Sequence, residues 1–187
     1  YQPRRNLKFT LGLRADIPTI PTEIQENTNL SALTNFRDGE RFNTSQFPKS
    51  SLLFSPRLGF NWDVNDDKIT QVRGGIGVFT GRVPYVWISN QASNNGVLFG
   101  SEFTNNPPAT GPTARPFNPN VDAYRPSAGA VNTAYNIAIT DPNFKFPQVF
   151  RANVAVDRNL GNGFLLTLEG IYTKDLNAVY HQNANLP

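Results

Sequence analysis

The sequence predicts an all-β fold in which five antiparallel strands run up and down and form part of a transmembrane β-barrel. Apolar and polar residues alternate with period two in five segments, and no apolar set contains a charged residue. The connections between these segments are alternately long and short. We expect strands at about residues 6–16, 53–64, 69–80, 148–158 and 164–174.

The first predicted strand is apolar at every second residue from Leu7 to Leu13, and Lys8 and Arg14 lie between these apolar positions. Period two is the spacing of side chains on one face of a strand. A polar segment with several proline and asparagine residues follows, at about residues 17–50. We expect this segment to be a long loop.

The second and third predicted strands form a hairpin. Apolar residues recur at every second position from Pro56 to Val64, and the alternation resumes from Val72 to Val78 with glycine at one position. The polar residues 65–67 separate the two strands, and such short polar connections join antiparallel neighbours.

A second long loop is expected at about residues 81–146. This segment holds eight of the fifteen prolines, which cannot pair within a central strand. The fourth strand ends in the glycine-rich residues 159–163, which form a tight turn into the fifth. The chain therefore predicts a second hairpin after the second long loop.

The order of the connections indicates a membrane barrel. In an up-and-down sheet, alternating connections lie at opposite ends, so both long loops share one end, which we assign to the cell exterior. Trp62 and Phe164 lie beside the tight turns, and Phe150 and Tyr172 beside the long loops, as interfacial aromatic girdles would. A soluble sandwich or half-barrel, with its polar face in water, fits the alternation as well.

The composition argues against several function classes. The formal charge of +3 is spread along the chain without a basic run, so we expect no nucleic-acid partner. The absence of cysteine excludes disulfides and thiolate metal sites. No apolar run approaches the roughly 18 residues of a spanning helix. Because the chain has no methionine and opens at Tyr1 directly before a strand, we expect it to be an internal or processed piece of a larger protein.

Motifs that would carry chemistry are weak. Asp63, Asn65 and Asp67 have the spacing that opens a calcium loop, but Lys68 stands where the loop needs glycine. A hairpin turn explains these residues better. His181 is the only histidine and no nucleophile motif accompanies it. We therefore expect no metal, no cofactor and no enzymatic activity.

Two groups of residues are candidates for function. The charged residues on the polar side of the strands would line the barrel lumen, where they could bind a plug, guide an anionic solute or simply be solvated: Lys8, Arg14, Arg57, Arg73, Arg151, Asp157 and Glu169.

The second long loop is rich in aromatic residues, which offer large contact areas at low entropic cost. They would either grip a ligand at the cell exterior or pack on one another as a folded cap. The aromatic and basic residues concerned are Tyr85, Trp87, Phe99, Phe103, Arg115, Phe117, Tyr124 and Tyr135, and the best candidates for ligand binding are Arg82, Tyr85, Trp87, Arg115 and Tyr124.

The strands also resemble those of a known family. The runs of residues 54–64 and 72–84 are similar to the barrel of TonB-dependent receptors of the Oar-like group, and residues 146–157 and 168–173 look like the next hairpin of that barrel. The resemblance covers all five strands and leaves out the long loops. It supports one partial β-barrel domain over residues 1–187.

The resemblance implies a location and partners. A fragment of such a receptor would lie in the bacterial outer membrane, in contact with outer-membrane lipid, with the rest of the barrel and with a plug. It would contribute to uptake or export of a substrate too large for porins, energised by the TonB complex through a plug region that this chain lacks. The alternative is a soluble or surface-exposed β-sheet module for binding or adhesion.

Overall fold

The computed structural model describes residues 1–97, 108–111, 114–124 and 136–184. Its described residues include no helix that is long and apolar enough to cross a membrane. The chain divides into two compact units, residues 1–21, 48–83 and 142–183, and residues 22–47, 84–141 and 184–187. The elements in chain order are β1 (Leu7–Asp16), α1 (Thr28–Ser31), a 3-10 turn (Arg37–Gly39), β2 (Leu53–Asp63), β3 (Thr70–Thr80), α2 (Tyr85–Ser93), β4 (Gln148–Gly161) and β5 (Phe164–Asn177).

The first unit is a five-stranded sheet in the order β1-β2-β3-β4-β5, and every neighbouring pair is antiparallel. This confirms the predicted all-β, up-and-down fold class. The segments that join β1 to β2 and β3 to β4 both leave from the same end of the sheet, because Asp16 pairs with Leu53 and Thr80 pairs with Gln148. The two tight turns lie at the opposite end.

Cross-strand pairing places the alternating apolar residues predicted for the five strands on one face. One row of neighbours runs from Leu11 through Leu58, Ile76 and Ala152 to Tyr172. Many of these side chains are exposed within the unit; Leu11 is 74% exposed and Ile76 is 49% exposed. A contiguous apolar surface of this extent is typical of a face that contacts a membrane or another protein.

The β2–β3 turn is held by its acidic side chains. The Asp63 Oδ2 atom accepts a hydrogen bond from the backbone N–H of Lys68 at 3.0 Å, and the Asp67 Oδ1 atom accepts one from Ile69 at 2.8 Å. Asp66 and Lys68 have φ angles of 63° and 61°, so both adopt the left-handed conformation. The residues with calcium-loop spacing therefore organise the predicted hairpin turn.

Gly74 lies on the apolar face, where a large side chain would be expected. It pairs with Phe60 of β2 and Val154 of β4, and a Cβ atom there would lie 2.6 Å from the Asn153 carbonyl oxygen and 2.8 Å from the Phe60 ring. The Phe60 ring therefore covers the backbone of β3 at this point, an arrangement in which an aromatic side chain shields a strand glycine.

We expect Gly74→Ala to lower the free energy of unfolding by about 1–3 kcal/mol, because the added methyl group must displace the Phe60 ring and the neighbouring backbone. Gly170 is a matched control in the same cross-strand row, since a Cβ atom there meets nothing within 4 Å. A denaturant titration measures both variants. Equal stability of the Gly74→Ala and Gly170→Ala proteins would show that Phe60 does not pack on Gly74.

Candidate functional site

The polar face of the sheet brings the charged strand residues into register. One row of neighbours runs from Lys8 through Asn61, Arg73 and Ala155 to Glu169, and the next rows are displaced by two residues along each strand. All seven residues predicted to line the lumen lie on this face: Lys8, Arg14, Arg57, Arg73, Arg151, Asp157 and Glu169.

Arg73 and Asp157 form an ion pair across β3 and β4. The Arg73 Nε atom donates to the Asp157 Oδ2 atom at 2.8 Å. Arg73 lies directly opposite Ala155, whose small, buried side chain lets the longer residue reach diagonally to Asp157. The Asp157 Oδ1 atom also accepts from the Thr167 hydroxyl of β5 at 2.7 Å. The bonds therefore connect three strands and hold both side chains in place.

Other polar side chains of this face bond to neighbouring strands or within their own strand. The Asn153 amide donates to Glu169 at 3.0 Å, and the Gln71 amide donates to Asn61 at 2.6 Å. Arg14 pairs with Asp16 on its own strand at 2.6 Å. Much of the polar wall is thus bonded within itself, which limits where an added ligand could bind.

Two arginines of the polar face are held by neutral groups. The Arg57 Cζ atom lies 4.6 Å from the centre of the Phe79 ring, a cation–π contact. The Arg151 Nε atom donates to the Thr173 hydroxyl at 3.2 Å. Among the described residues, neither arginine forms an ion pair. Phe79, two residues after Gly77 on the polar face of β3, is not among the residues predicted from the sequence.

The second unit has a core that is largely polar. Gln91 of α2 and Asn95, which follows α2, are fully buried, Thr44 is fully buried in the first long segment, and Ile24, Leu30 and Ile88 are buried apolar residues. The Gln91 Nε2 atom donates to the carbonyl oxygens of Thr44 at 3.0 Å and Gln46 at 2.8 Å. Its Oε1 atom accepts from the Thr140 N–H at 2.9 Å.

A second set of bonds joins the same two segments. The Asn95 side chain donates to the Gln25 carbonyl at 3.1 Å, and the Asn27 side chain donates to the Asn95 carbonyl at 3.1 Å. The Asn27 Oδ1 atom also caps α1 by accepting from Leu30 N–H. The two long segments therefore fold together within this unit, which neither was expected to do from sequence. Ile88 and Gln91, spaced i, i+3, are the buried residues of α2.

The predicted ligand-binding residues occupy several places. Tyr85 and Trp87 lie in the first turn of α2 and are exposed. Arg115 and Tyr124 are brought together, with the Arg115 Cζ atom 5.2 Å from the Tyr124 ring centre. Arg82 belongs to the first unit and is exposed. Phe99, Phe103 and Tyr135 lie outside the described residues.

Residues 114–124 form a small closed loop. The Tyr124 hydroxyl donates to the Pro116 carbonyl at 2.8 Å, and the side chains of Asn118 and Asn120 each accept from the backbone N–H two residues further on. Asx turns of this kind order a loop without a helix or strand. The loop presents Phe117 and Val121, which are 94% and 92% exposed.

Comparison with known proteins identifies a family. Residues 1–187 match the family model described as "Outer membrane beta barrel domain". Neither the search of curated proteins nor the search of solved structures found a match.

We expect Gln91→Ala to lower the stability of the second unit against local opening, because the substitution removes the hydrogen-bond partner of the Thr140 N–H and of two carbonyl groups. Leaving the carbonyl of the buried Thr44 unpaired costs about 1–3 kcal/mol, and the half-buried Thr140 N–H loses its acceptor. Hydrogen exchange of the Thr140 amide should accelerate by at least about tenfold. Ser89→Ala on the exposed side of α2 is the control and should leave exchange unchanged. Unchanged exchange in Gln91→Ala would mean that other contacts hold this unit together.

Proposed function

This chain belongs to the outer membrane beta barrel domain family and lies in the bacterial outer membrane, and we propose that it forms part of the barrel wall of an Oar-like, TonB-dependent transporter. Such a transporter moves a substrate too large for porins into or out of the cell. We propose binding and passage of the substrate and no covalent chemistry.

One observation carries this proposal. The cross-strand register places the seven predicted lumen-lining residues on one face, while the opposite face is free of charge between Arg158 near the tight turns and Lys174 near the long segments. A face of this kind contacts lipid, and the charged face lines an aqueous interior. The five strands thus have the two-sided character that a wide transport barrel requires.

The finer assignment comes from the sequence resemblance of the strands. Residues 54–64 and 72–84 are similar to the barrel of Oar-like receptors. The remaining barrel strands, the plug and the TonB complex are the partners that this resemblance implies. The exposed Tyr85, Trp87, Arg115 and Tyr124, with Arg82, are our candidates for the first contact with a substrate at the cell exterior.

A surface adhesion module remains the alternative, and the exposed Phe117 and Val121 are the observation that favours it. An adhesion module would bind other cells or a matrix through residues 114–124 and would need no energy supply. Dependence on the energised inner membrane therefore separates the two functions.

We expect Leu58→Arg to impair insertion of the barrel into the outer membrane, since a lipid-facing arginine near the midplane costs about 2–4 kcal/mol. Asn61→Arg on the same strand is the matched control, because Asn61 lies on the polar face beside Arg73. The heat-dependent shift in electrophoretic mobility of the folded barrel measures insertion. Equal insertion of the two variants would show that the assignment of the faces is wrong.

The transport proposal is tested in cells that express the full-length protein. Fluorescently labelled oligosaccharides and peptides above the porin size limit are supplied with and without a protonophore that dissipates the proton gradient. We expect at least one class to accumulate only with the protein and only without the protonophore, and the Leu58→Arg cells serve as the negative control. Accumulation that ignores the protonophore, or none with any class, would contradict a TonB-dependent transporter.

A further inference from the structure

The arginines of the polar face fall into two kinds. Arg14 and Arg73 are each neutralised by an aspartate, at 2.6 Å and 2.8 Å. Arg57 and Arg151 form no ion pair among the described residues; an aromatic ring holds the first and a hydroxyl group the second. Both are positioned by side chains of neighbouring strands and by no carboxylate.

The position of the Arg57 side chain depends on a glycine of β3. Gly77 lies directly opposite Arg57, and a Cβ atom there would lie 3.1 Å from the Arg57 Cγ atom and 3.3 Å from the Phe79 ring. The missing side chain lets the Arg57 stem lie across β3 and reach Phe79. On the other side, Arg57 pairs with Gly12, where a Cβ atom would meet nothing within 4 Å. The Arg57 guanidinium is therefore oriented, exposed and open on one flank.

Arg151 completes the same cross-strand row. The row runs Gly12, Arg57, Gly77, Arg151, Thr173, so the two arginines stand on alternate strands with a glycine between them. Two strand spacings separate their backbones, about 10 Å. Only the Nε atom of Arg151 is bonded to Thr173, which leaves its two terminal NH₂ groups for another acceptor.

Most other charged groups of this face have hydrogen-bond partners. The Glu169 carboxylate accepts from Asn153, and the Asp157 carboxylate binds both Arg73 and Thr167. Lys8 lies two rows away from Arg57 along the strands. The row of Arg57 and Arg151 thus holds two forked donors and no acid. The Asp175 carboxylate lies one row away on β5 and forms no ion pair with Arg151 among the described residues.

We propose that Arg57 and Arg151 bind the carboxylate groups of an acidic solute inside the barrel. A guanidinium group binds a carboxylate through two parallel hydrogen bonds, and two such groups select a solute with more than one acidic group. This proposal rests on the proposed function and names its substrate class as anionic. Phe79, which is 36% exposed, is a positioning residue that acts through Arg57.

The test measures binding of citrate, a small tricarboxylate, to the purified full-length protein in detergent by titration calorimetry at constant ionic strength. We expect Arg57→Gln and Arg151→Gln each to weaken citrate binding by about tenfold or more, the scale of a charge-assisted bidentate pair. Lys8→Gln removes the same charge from the same face and should change binding less than about twofold. Heat-dependent electrophoretic mobility confirms that each variant is folded.

Four further results decide the proposal. Arg57→Lys keeps the charge and loses the fork, so it should also weaken binding, and Phe79→Leu should weaken it without any change of charge. Equal weakening by Lys8→Gln and Arg57→Gln would overturn the site in favour of a diffuse positive wall. Absence of citrate binding to the unmodified protein would overturn it as well. Because this is a binding measurement, its failure is independent of the energy dependence of uptake.

A cysteine reporter separates a solute from a polypeptide occupant. The chain contains no cysteine, so Arg57→Cys introduces one unique thiol into it. We expect a negatively charged, water-soluble thiol reagent to modify Arg57→Cys in the intact membrane, and to leave Ala152→Cys on the opposite face unmodified. An unreactive Arg57→Cys in a correctly inserted protein would show that a polypeptide covers the site and would overturn the solute proposal.

Discussion

The constraint on which the rest of the structure depends is the register of the strands. In lipid, backbone N–H and C=O groups must be paired within the protein, so strands can cross only as neighbours in a hydrogen-bonded sheet. The pairing here is continuous from β1 to β5, and its irregularities fall at the two ends of β4. A shift of one residue would move every charge to the apolar face. Register therefore fixes both the membrane face and the polar wall.

On the polar face, two arginine side chains reach partners because the residues opposite them are small. Arg73 reaches Asp157 because Ala155 is small, and Arg57 reaches Phe79 because Gly77 has no side chain. In both cases the residue opposite the arginine has a small side chain or none, so the long arginine side chain can cross a neighbouring strand. The two arrangements differ in outcome, since the first neutralises a charge and the second orients a charge and leaves it available.

The second unit is held together by buried amide side chains. Its segments are rich in proline, asparagine and serine and have few large apolar residues to bury. Buried amides take their place: Gln91 and Asn95 satisfy the backbone groups of both long segments, which would otherwise lack partners. A fully satisfied polar network of this kind orders a segment in a specific way, because each amide has defined donors and acceptors.

The sequence by itself determined the five strands, their antiparallel order, the two tight turns and the face on which each charge lies. The reason is that the two-residue alternation is visible within each strand and does not depend on which strands are its neighbours. The family match agrees with the membrane barrel indicated by that alternation. Only the tertiary structure decided which charges are neutralised, since Arg73 and Asp157 lie 84 residues apart and their contact depends on the register of β3 with β4. It also decided that residues 22–47 and 84–141 share a buried core, because the bonds of Gln91 and Asn95 join distant segments that carry no common local pattern.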